Sequence, residues 1–259
     1  MSCVEEFVCK CHKILLSSSK EAKNAREYLG ERGITAKSIS LYKIGYCPNI
    51  QIPDKISSYG WDGKAEKPNY SYFIKGKIIV PIYDEFEKEV WFATRKPSTE
   101  SGNTWWNLPK PFHKGNHLFL LNKNRKHIFK DNKIYLVEGY ADAILLQQEG
   151  LKAVCGLMGT ALTPRKIGLI IRYCDNICLC MDIDENKSGQ NAQDKSVYAL
   201  SEFGFCESIS VIDNLPVGED PAEFVIKNGL QKFLEGERKL DEKEIKKICN
   251  RVRYKNYKK

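Results

Sequence analysis

No apolar run in this chain reaches the ~18–20 residues that a membrane-spanning helix needs, so no membrane association is expected. The N-terminus lacks an apolar core followed by a small-residue cleavage site, and no signal peptide is read. No Cys-x-x-Cys pair occurs among ten cysteines. That many cysteines without an export signal point to a reducing cytoplasm. Cys9, Cys11 and His12 crowd together, but a tetrahedral zinc site normally uses two separated ligand pairs and no second pair follows. Val4, Phe7, Val8, Cys11, Ile14 and Leu15 follow i, i+3, i+4 spacing instead, so the crowding belongs to one face of a helix and no zinc is expected in this chain. Cys178 and Cys180 alternate in an apolar run and read as small buried residues of a strand. No Ser or His nucleophile arrangement stands out. With 42% apolar and 29% charged residues, the composition excludes a disordered or fibrous chain.

What the sequence does hold is segregated charge. Residues 1–133 carry 23 basic and 14 acidic side chains, a net of +9. Residues 134–240 carry 10 and 16, a net of −6, and residues 241–259 carry 8 and 3, a net of +5. An acidic middle between two basic ends is compatible with an anionic partner and equally with chance surface patterning.

The periodicities predict helices over 3–16 and from about Lys20 to Glu31, stopping at Gly33, then a short helix capped by Thr35 and running to Leu41. Residues 47–70, rich in Pro, Gly, Asp and Asn, read as a surface connection. Lys77–Tyr83 and Glu89–Thr94 read as a hairpin around the acidic turn 84–88. Residues 96–117 read as irregular, basic and aromatic. From Lys133 the texture changes to buried strands (Ile134–Val137, Ala153–Leu157, Ile177–Met181, Ser208–Ile212) alternating with helices (Tyr140–Gln148, one starting at Thr163-Pro164, about Gln190–Phe203). This is an α/β pattern with a mostly parallel, helix-covered sheet, preceded by a mixed α+β part and followed by a short helical tail. The expected divisions are 1–132, 133–213 and 214–259.

In such sheets the site lies at the carboxyl ends of the strands. Here those ends carry Glu138, Asp182 and Asp184. Asp182 and Asp184, two apart, point the same way from an extended backbone. Three carboxylates at one edge repel unless a cation lies between them, and hard oxygen ligands select Mg²⁺ or Mn²⁺ rather than zinc. Asp142 would face Glu138 across the first helical turn, and Asp220 lies just past the fourth strand. Taken singly, each acid is a common strand-end or helix-start residue; the joint pattern is what points to a metal site.

The runs Val137-Glu138-Gly139-Tyr140-Ala141-Asp142, Gly156-Leu157-Met158-Gly159-Thr160-Ala161-Leu162-Thr163 and Asp182-Ile183-Asp184 resemble the toprim domain shared by bacterial primases, topoisomerases and some nucleases. The flanks resemble DnaG-type bacterial primases in particular. They are Tyr28-Leu29-Gly30-Glu31-Arg32-Gly33-Ile34-Thr35, Ile44–Pro48, Lys77–Ile82, Phe92–Arg95, Trp106-Asn107-Leu108-Pro109, Phe112-His113-Lys114-Gly115 and Leu215–Pro221, in one unbroken order. The resemblance implies a primase catalytic core that joins ribonucleotides into short primers on single-stranded DNA. It implies Glu138, Asp182, Asp184 and Asp220 as ligands of Mg²⁺ or Mn²⁺, with Asp142 as a supporting catalytic acid. It implies Arg32, Lys77, Arg95, Asn107 and Lys114 as the residues that hold template and nucleotide phosphates. Trp105 and Trp106 either stack on template bases or anchor their loop.

Two positions depart from the family pattern: Thr104 stands where a lysine is usual, and Ala222, followed by Glu223, where an acid is usual. The family's zinc-binding module and helicase-binding domain are not in this sequence, so a separate zinc-binding module and a replicative helicase are the expected further partners, unless start sites are found differently or the chain is a fragment. A minimal chain of this kind would suit a phage or mobile element. The basic stretch 243–259 reads as a nucleic-acid contact or, preferably, a disordered solvated end. The competing functions are a toprim-type metal-dependent nuclease and a non-catalytic subunit that binds single-stranded nucleic acid.

Overall fold

A computed structural model describes residues 2–59, 63–64, 66–98, 105–107, 112–159, 162–183 and 188–257. The chain forms two compact units, 1–113 and 114–259.

Unit 1 begins with α1 (Cys3–Leu16) and α2 (Lys20–Glu31), then α3 (Ala36–Leu41) and β1 (Gly45–Cys47). Short helices α4 (Asp54–Ser57) and α5 (Ser71–Ile74) precede β2 (Lys77–Tyr83), β3 (Glu89–Arg95) and β4 (Trp106–Asn107). The first helix starts as its sequence dictates: Ser2 accepts from the Glu5 backbone and Glu5 answers, a capping box. Its carbonyl end is closed from outside, because Arg26 donates to the carbonyls of Leu15 and Ser17 at 3.0 and 2.6 Å. Thr35 caps α3 as expected. The strands form an antiparallel sheet in chain order, and α1 covers it, Phe7 meeting Phe92 with ring centroids 5.5 Å apart. The stretch 47–70 is more than surface connection, since Ile52 and Ile56 are buried.

Unit 2 opens on a 3-10 turn (Lys114–Asn116). It continues through α6 (Leu121–Asp131), β5 (Lys133–Val137), α7 (Tyr140–Gln148), β6 (Val154–Gly156), α8 (Pro164–Ile170), β7 (Asn176–Cys180), α9 (Ser188–Glu202) and β8 (Ile209–Ile212). It ends with α10 (Pro221–Asn228), α11 (Leu230–Glu235), β9 (Glu237–Lys239) and α12 (Glu242–Tyr257). The sheet order is β6-β5-β7-β8-β9, the first four strands parallel and β9 antiparallel at the edge. The parallel strands are nearly all apolar because helices bury both faces.

Three features differ from the sequence expectation. The compact units divide after His113, ahead of residue 132, because the connecting segment packs on the parallel sheet. Phe119 pairs with Gly156, and the Asn124 amide donates to the Val154 carbonyl at 2.7 Å. The segment after 213 is not only helical, since it returns β9 to the sheet edge, where Glu237 accepts from Tyr135 at 3.0 Å and Ser210 at 2.6 Å. The basic end is not a disordered tail over 242–257. Ile245, Cys249 and Val252 are buried on one face of α12, and Arg251 bonds Asp194 of α9 at 2.7 Å. Among the described residues, no helix is long and apolar enough to cross a membrane.

Candidate metal centre and nucleic-acid interface

The register of unit 2 builds the acidic end. Val137 pairs with Cys180 across the parallel strands β5 and β7, so the next residues, Glu138 on one strand and Met181-Asp182 on the other, leave the sheet side by side. After β6 the chain crosses to the other side of β5, which makes this the topological switch point where open α/β sheets bind ligands. Oε1 of Glu138 and Oδ1 of Asp182 are both shielded from solvent. The two residues meet at Gly189 in the first turn of α9. A Cβ placed there would lie 3.1 Å from Glu138 Oε1 and overlap the Asp182 carbonyl oxygen. The Glu138 carboxylate and the Asp182 backbone carbonyl thus meet at one helix start, and with the shielded Asp182 side-chain oxygen they are hard-oxygen donors of the kind that suits a divalent cation.

The other predicted acids are placed differently. Asp142 is buried at the third position of α7, its carboxylate folded back against Gly139. Asp220 caps α10, accepting from the Glu223 backbone at 2.7 Å. Its loop is tied to the acidic end by the Gly218 backbone, which donates to the Ile183 carbonyl at 2.6 Å. Asp184 lies outside the described residues. Among the described residues no three His, Cys, Asp or Glu side chains gather as a metal-holding group; the pair Glu138 and Asp182 is what the described structure brings together.

A basic end lies beside this pair. The chain leaves β6 through Leu157, whose backbone donates to Val137, and Gly159, whose backbone donates to the Glu138 carbonyl at 3.2 Å. Met158 and Gly159 take φ of +58° and +128°, a tight turn. The Lys114 ammonium packs against Gly159. Beneath it Lys166 is almost wholly buried, 1% exposed, and donates to the Leu157 carbonyl. Sequence reasoning missed Lys166. The signal is there, because it shares the buried stripe of α8 with Ile167, Leu169 and Ile170, where a lysine needs a reason.

Burial and the nearby Lys114 charge push the Lys166 ammonium down to about 8. Above that pH the folded chain holds Lys166 neutral, while the unfolded chain, with lysine's usual pKa of ~10.4, still binds the proton. Stability contributed by this group therefore rises from pH 8 toward 10.4. Lys166→Met removes the titration. In urea unfolding, the wild type is expected to gain about 2–3 kcal/mol relative to Lys166→Met between pH 7.5 and pH 10. A difference that does not change with pH would contradict this placement of the lysine.

In unit 1 the predicted basic residues gather at one end of the antiparallel sheet. Lys77 opens β2 and Arg95 closes β3, next to each other because Ile78 pairs with Arg95. Arg95 donates to the Tyr28 hydroxyl at 2.7 Å, and Arg32 follows Tyr28 by one helical turn at the exposed end of α2. Asn107 lies on β4 opposite Ala93, and Thr104 lies outside the described residues. On α1, His12 Nδ1 donates to the Ile44 carbonyl at 2.6 Å and Cys11 is buried, as a core helix face requires.

Comparison with known proteins also finds two parts, divided between residues 125 and 135. Residues 11–125 match the model of the DNA primase catalytic core, N-terminal domain, and residues 135–225 match a Toprim-like model. The chain is similar to the DNA primase of Clostridium acetobutylicum, 33% identical over 224 residues. That match covers 81% of this chain and 36% of the relative. The chain belongs to the DnaG-type primases. The DNA primase of Geobacillus stearothermophilus is 31% identical over 235 residues, covering 85% of this chain and 38% of that one. Among solved structures, the Aquifex aeolicus primase (zinc-binding and RNA polymerase domains) superposes with a TM-score of 0.75 at 25% identity, over 91% of this chain and 60% of that one. The E. coli primase catalytic core shares the fold, with a TM-score of 0.74 at 22% identity over 92% of this chain and 80% of that one. This primase core thus spans little more than a third of the length of the curated primases it matches. Toprim and primase catalytic cores generally depend on divalent metal.

Proposed function

We propose that this chain synthesises short RNA primers on single-stranded DNA by metal-dependent nucleotidyl transfer. The observation that carries this reading is the meeting of the Glu138 carboxylate and the Asp182 backbone carbonyl at Gly189, at the carboxyl ends of two adjacent parallel strands. Glu138, Asp182, Asp184 and Asp220 are the proposed ligands of Mg²⁺ or Mn²⁺, with Asp142 in support and no zinc in this chain. The cation supplies charge neutralisation at the attacking and leaving oxygens when a ribose 3′-hydroxyl displaces pyrophosphate from an α-phosphate. The carboxylates hold that charge in place, and no protein nucleophile is needed. Lys114, which packs against the turn at Gly159, is the proposed residue for steadying a nucleotide phosphate. Arg32, Lys77, Arg95 and Asn107 form the proposed template-phosphate set of unit 1. A DnaG catalytic domain with this fold binds single-stranded DNA, which supports the same template here. Ribonucleoside triphosphates are the proposed substrates, and a replicative helicase and a separate zinc-binding module the proposed partners. Within the two units, residues 1–113 are proposed as the template-holding part, 133–213 as the toprim domain and 214–259 as its extension.

A single-stranded template of mixed sequence separates this from a toprim nuclease. With Mn²⁺ and ribonucleotides, template-dependent primers are expected; with Mn²⁺ and no nucleotides, labelled DNA is expected to stay intact. Cleavage without synthesis would replace the primase reading with the nuclease one.

A further inference from the structure

Unit 1 carries a group of aromatic side chains that its core does not use. Ile74 of α5 is fully buried, and it fixes the helix so that the two residues before it stay outside: Tyr72 is 80% exposed and Phe73 38%. The Phe73 ring lies flat on Trp106 of β4, centroids 4.2 Å apart and planes within 6°. Tyr70 leans on the same tryptophan at 6.0 Å. Tyr72 stands almost perpendicular to Phe73, at 5.4 Å and 83°, so a flat group stacked on one ring presents its edge to the other. Single exposed apolar residues are ordinary, but a contiguous aromatic cluster on a surface marks a contact site.

Cations border the cluster. Lys77 Nζ lies 6.0 Å from the Tyr72 ring centre, and the Arg95 guanidinium lies 5.6 Å from that of Trp105. Lys77 is held below the usual lysine pKa by its burial and then by the charge of Lys96. Two cations kept close to each other are relieved by an anion between them. Aromatic faces with flanking cations suit one class of polymer, a single strand of nucleic acid, whose bases expose their faces and whose phosphates carry the charge. A duplex hides those faces in its own stack.

We propose that Tyr72 and Phe73, backed by Trp106, form a base-stacking platform for single-stranded DNA, with Lys77 and Arg95 on the neighbouring phosphates. The choice of DNA rests on the primer-synthesis reading; the stacking residues do not. Of the two readings of Trp106, loop anchor and base platform, the geometry unites both, since Trp106 supports Phe73 from beneath.

The test is equilibrium binding of a fluorescent single-stranded oligonucleotide to the full chain, without metal or nucleotides. An aromatic stack is worth roughly ten- to a hundredfold in affinity per base. Tyr72→Ala is therefore expected to weaken binding about tenfold at low and at high salt alike, and Tyr72→Phe to restore it. Lys77→Ala is expected to lower the salt slope by about one phosphate contact. An oligonucleotide of the same length without bases should bind the wild type weakly and be indifferent to Tyr72→Ala. Tyr72 is exposed, so its variants should keep the wild-type unfolding midpoint. Unchanged binding by Tyr72→Ala, equal binding of the abasic strand, or equal Tyr72 dependence with duplex DNA would each overturn the platform. If primers fail to form but the stacking pattern holds, the platform stands and the primase reading falls. If primers form and Tyr72 is immaterial, the platform alone falls.

Discussion

Asp182→Ala is expected to lower template-dependent ribonucleotide incorporation by about a thousandfold, the scale seen when preorganised charge at a reacting centre is lost. Asp182 follows β7 at the edge that faces Glu138, and its Oδ1 is shielded from solvent. Its removal takes away one of the two acids proposed at this strand end. The variant should retain single-strand binding through unit 1. Glu138→Gln should behave alike, because an amide keeps the shape and loses the charge. Incorporation within tenfold of wild type in both variants would remove these acids from the reaction.

Gly189→Ala tests the geometry rather than the charge. Alanine is the better helix former by about 0.8–1 kcal/mol, so an unconstrained glycine in a helix is improved by the change. Gly168 of α8 is such a position, since a methyl group added there would meet nothing within 4 Å, and Gly168→Ala should raise stability by roughly 0.5–1 kcal/mol. At Gly189 the methyl group overlaps the Asp182 carbonyl and reaches Glu138 Oε1 at 3.1 Å. There the substitution should destabilise by about 1–3 kcal/mol, as overpacking does. It should also weaken metal-dependent incorporation about 10- to 100-fold, the usual result of disturbing groups that orient ligands. The measurement is thermal unfolding of both variants together with a Mn²⁺ titration of activity. Equal stabilisation at both glycines would show that α9 does not press on the acidic pair.

The parallel strands were legible because burial on both faces leaves nearly continuous apolar runs, and their register then places Glu138 beside Asp182. Caps were equally legible: Thr35 and Thr163 each accept the backbone hydrogen bond their sequence context implies. Other elements were hidden for physical reasons. In α6 the segment Leu121-Asn122-Lys123-Asn124-Arg125-Lys126-His127 shows no apolar stripe, because Asn124 is buried through hydrogen bonds to Val154 and Gln147. Strand β9 is Glu237-Arg238-Lys239, held by a Lys133–Glu237 ion pair of 2.5 Å and by polar bonds rather than by an apolar face. In α12 the abundance of lysine and arginine conceals a narrow buried stripe of Ile245, Cys249 and Val252. The platform at Tyr72 and Phe73 has a different cause: it depends on the stacking of Phe73 on Trp106, a contact between segments distant in sequence that no local period reports.

Synthesis started without a primer leaves the first nucleotide's triphosphate intact, since its 3′-hydroxyl attacks the α-phosphate of the second. The most direct test is therefore transfer of label from γ-labelled ribonucleoside triphosphate into short products on an unlabelled single-stranded template, with Mg²⁺ or Mn²⁺. Labelled oligoribonucleotides that require template and metal, and that vanish with Asp182→Ala, are the expected result. No γ-labelled product with either metal, even when a zinc-binding primase module is added, would contradict the assignment of this chain as a primer-synthesising core.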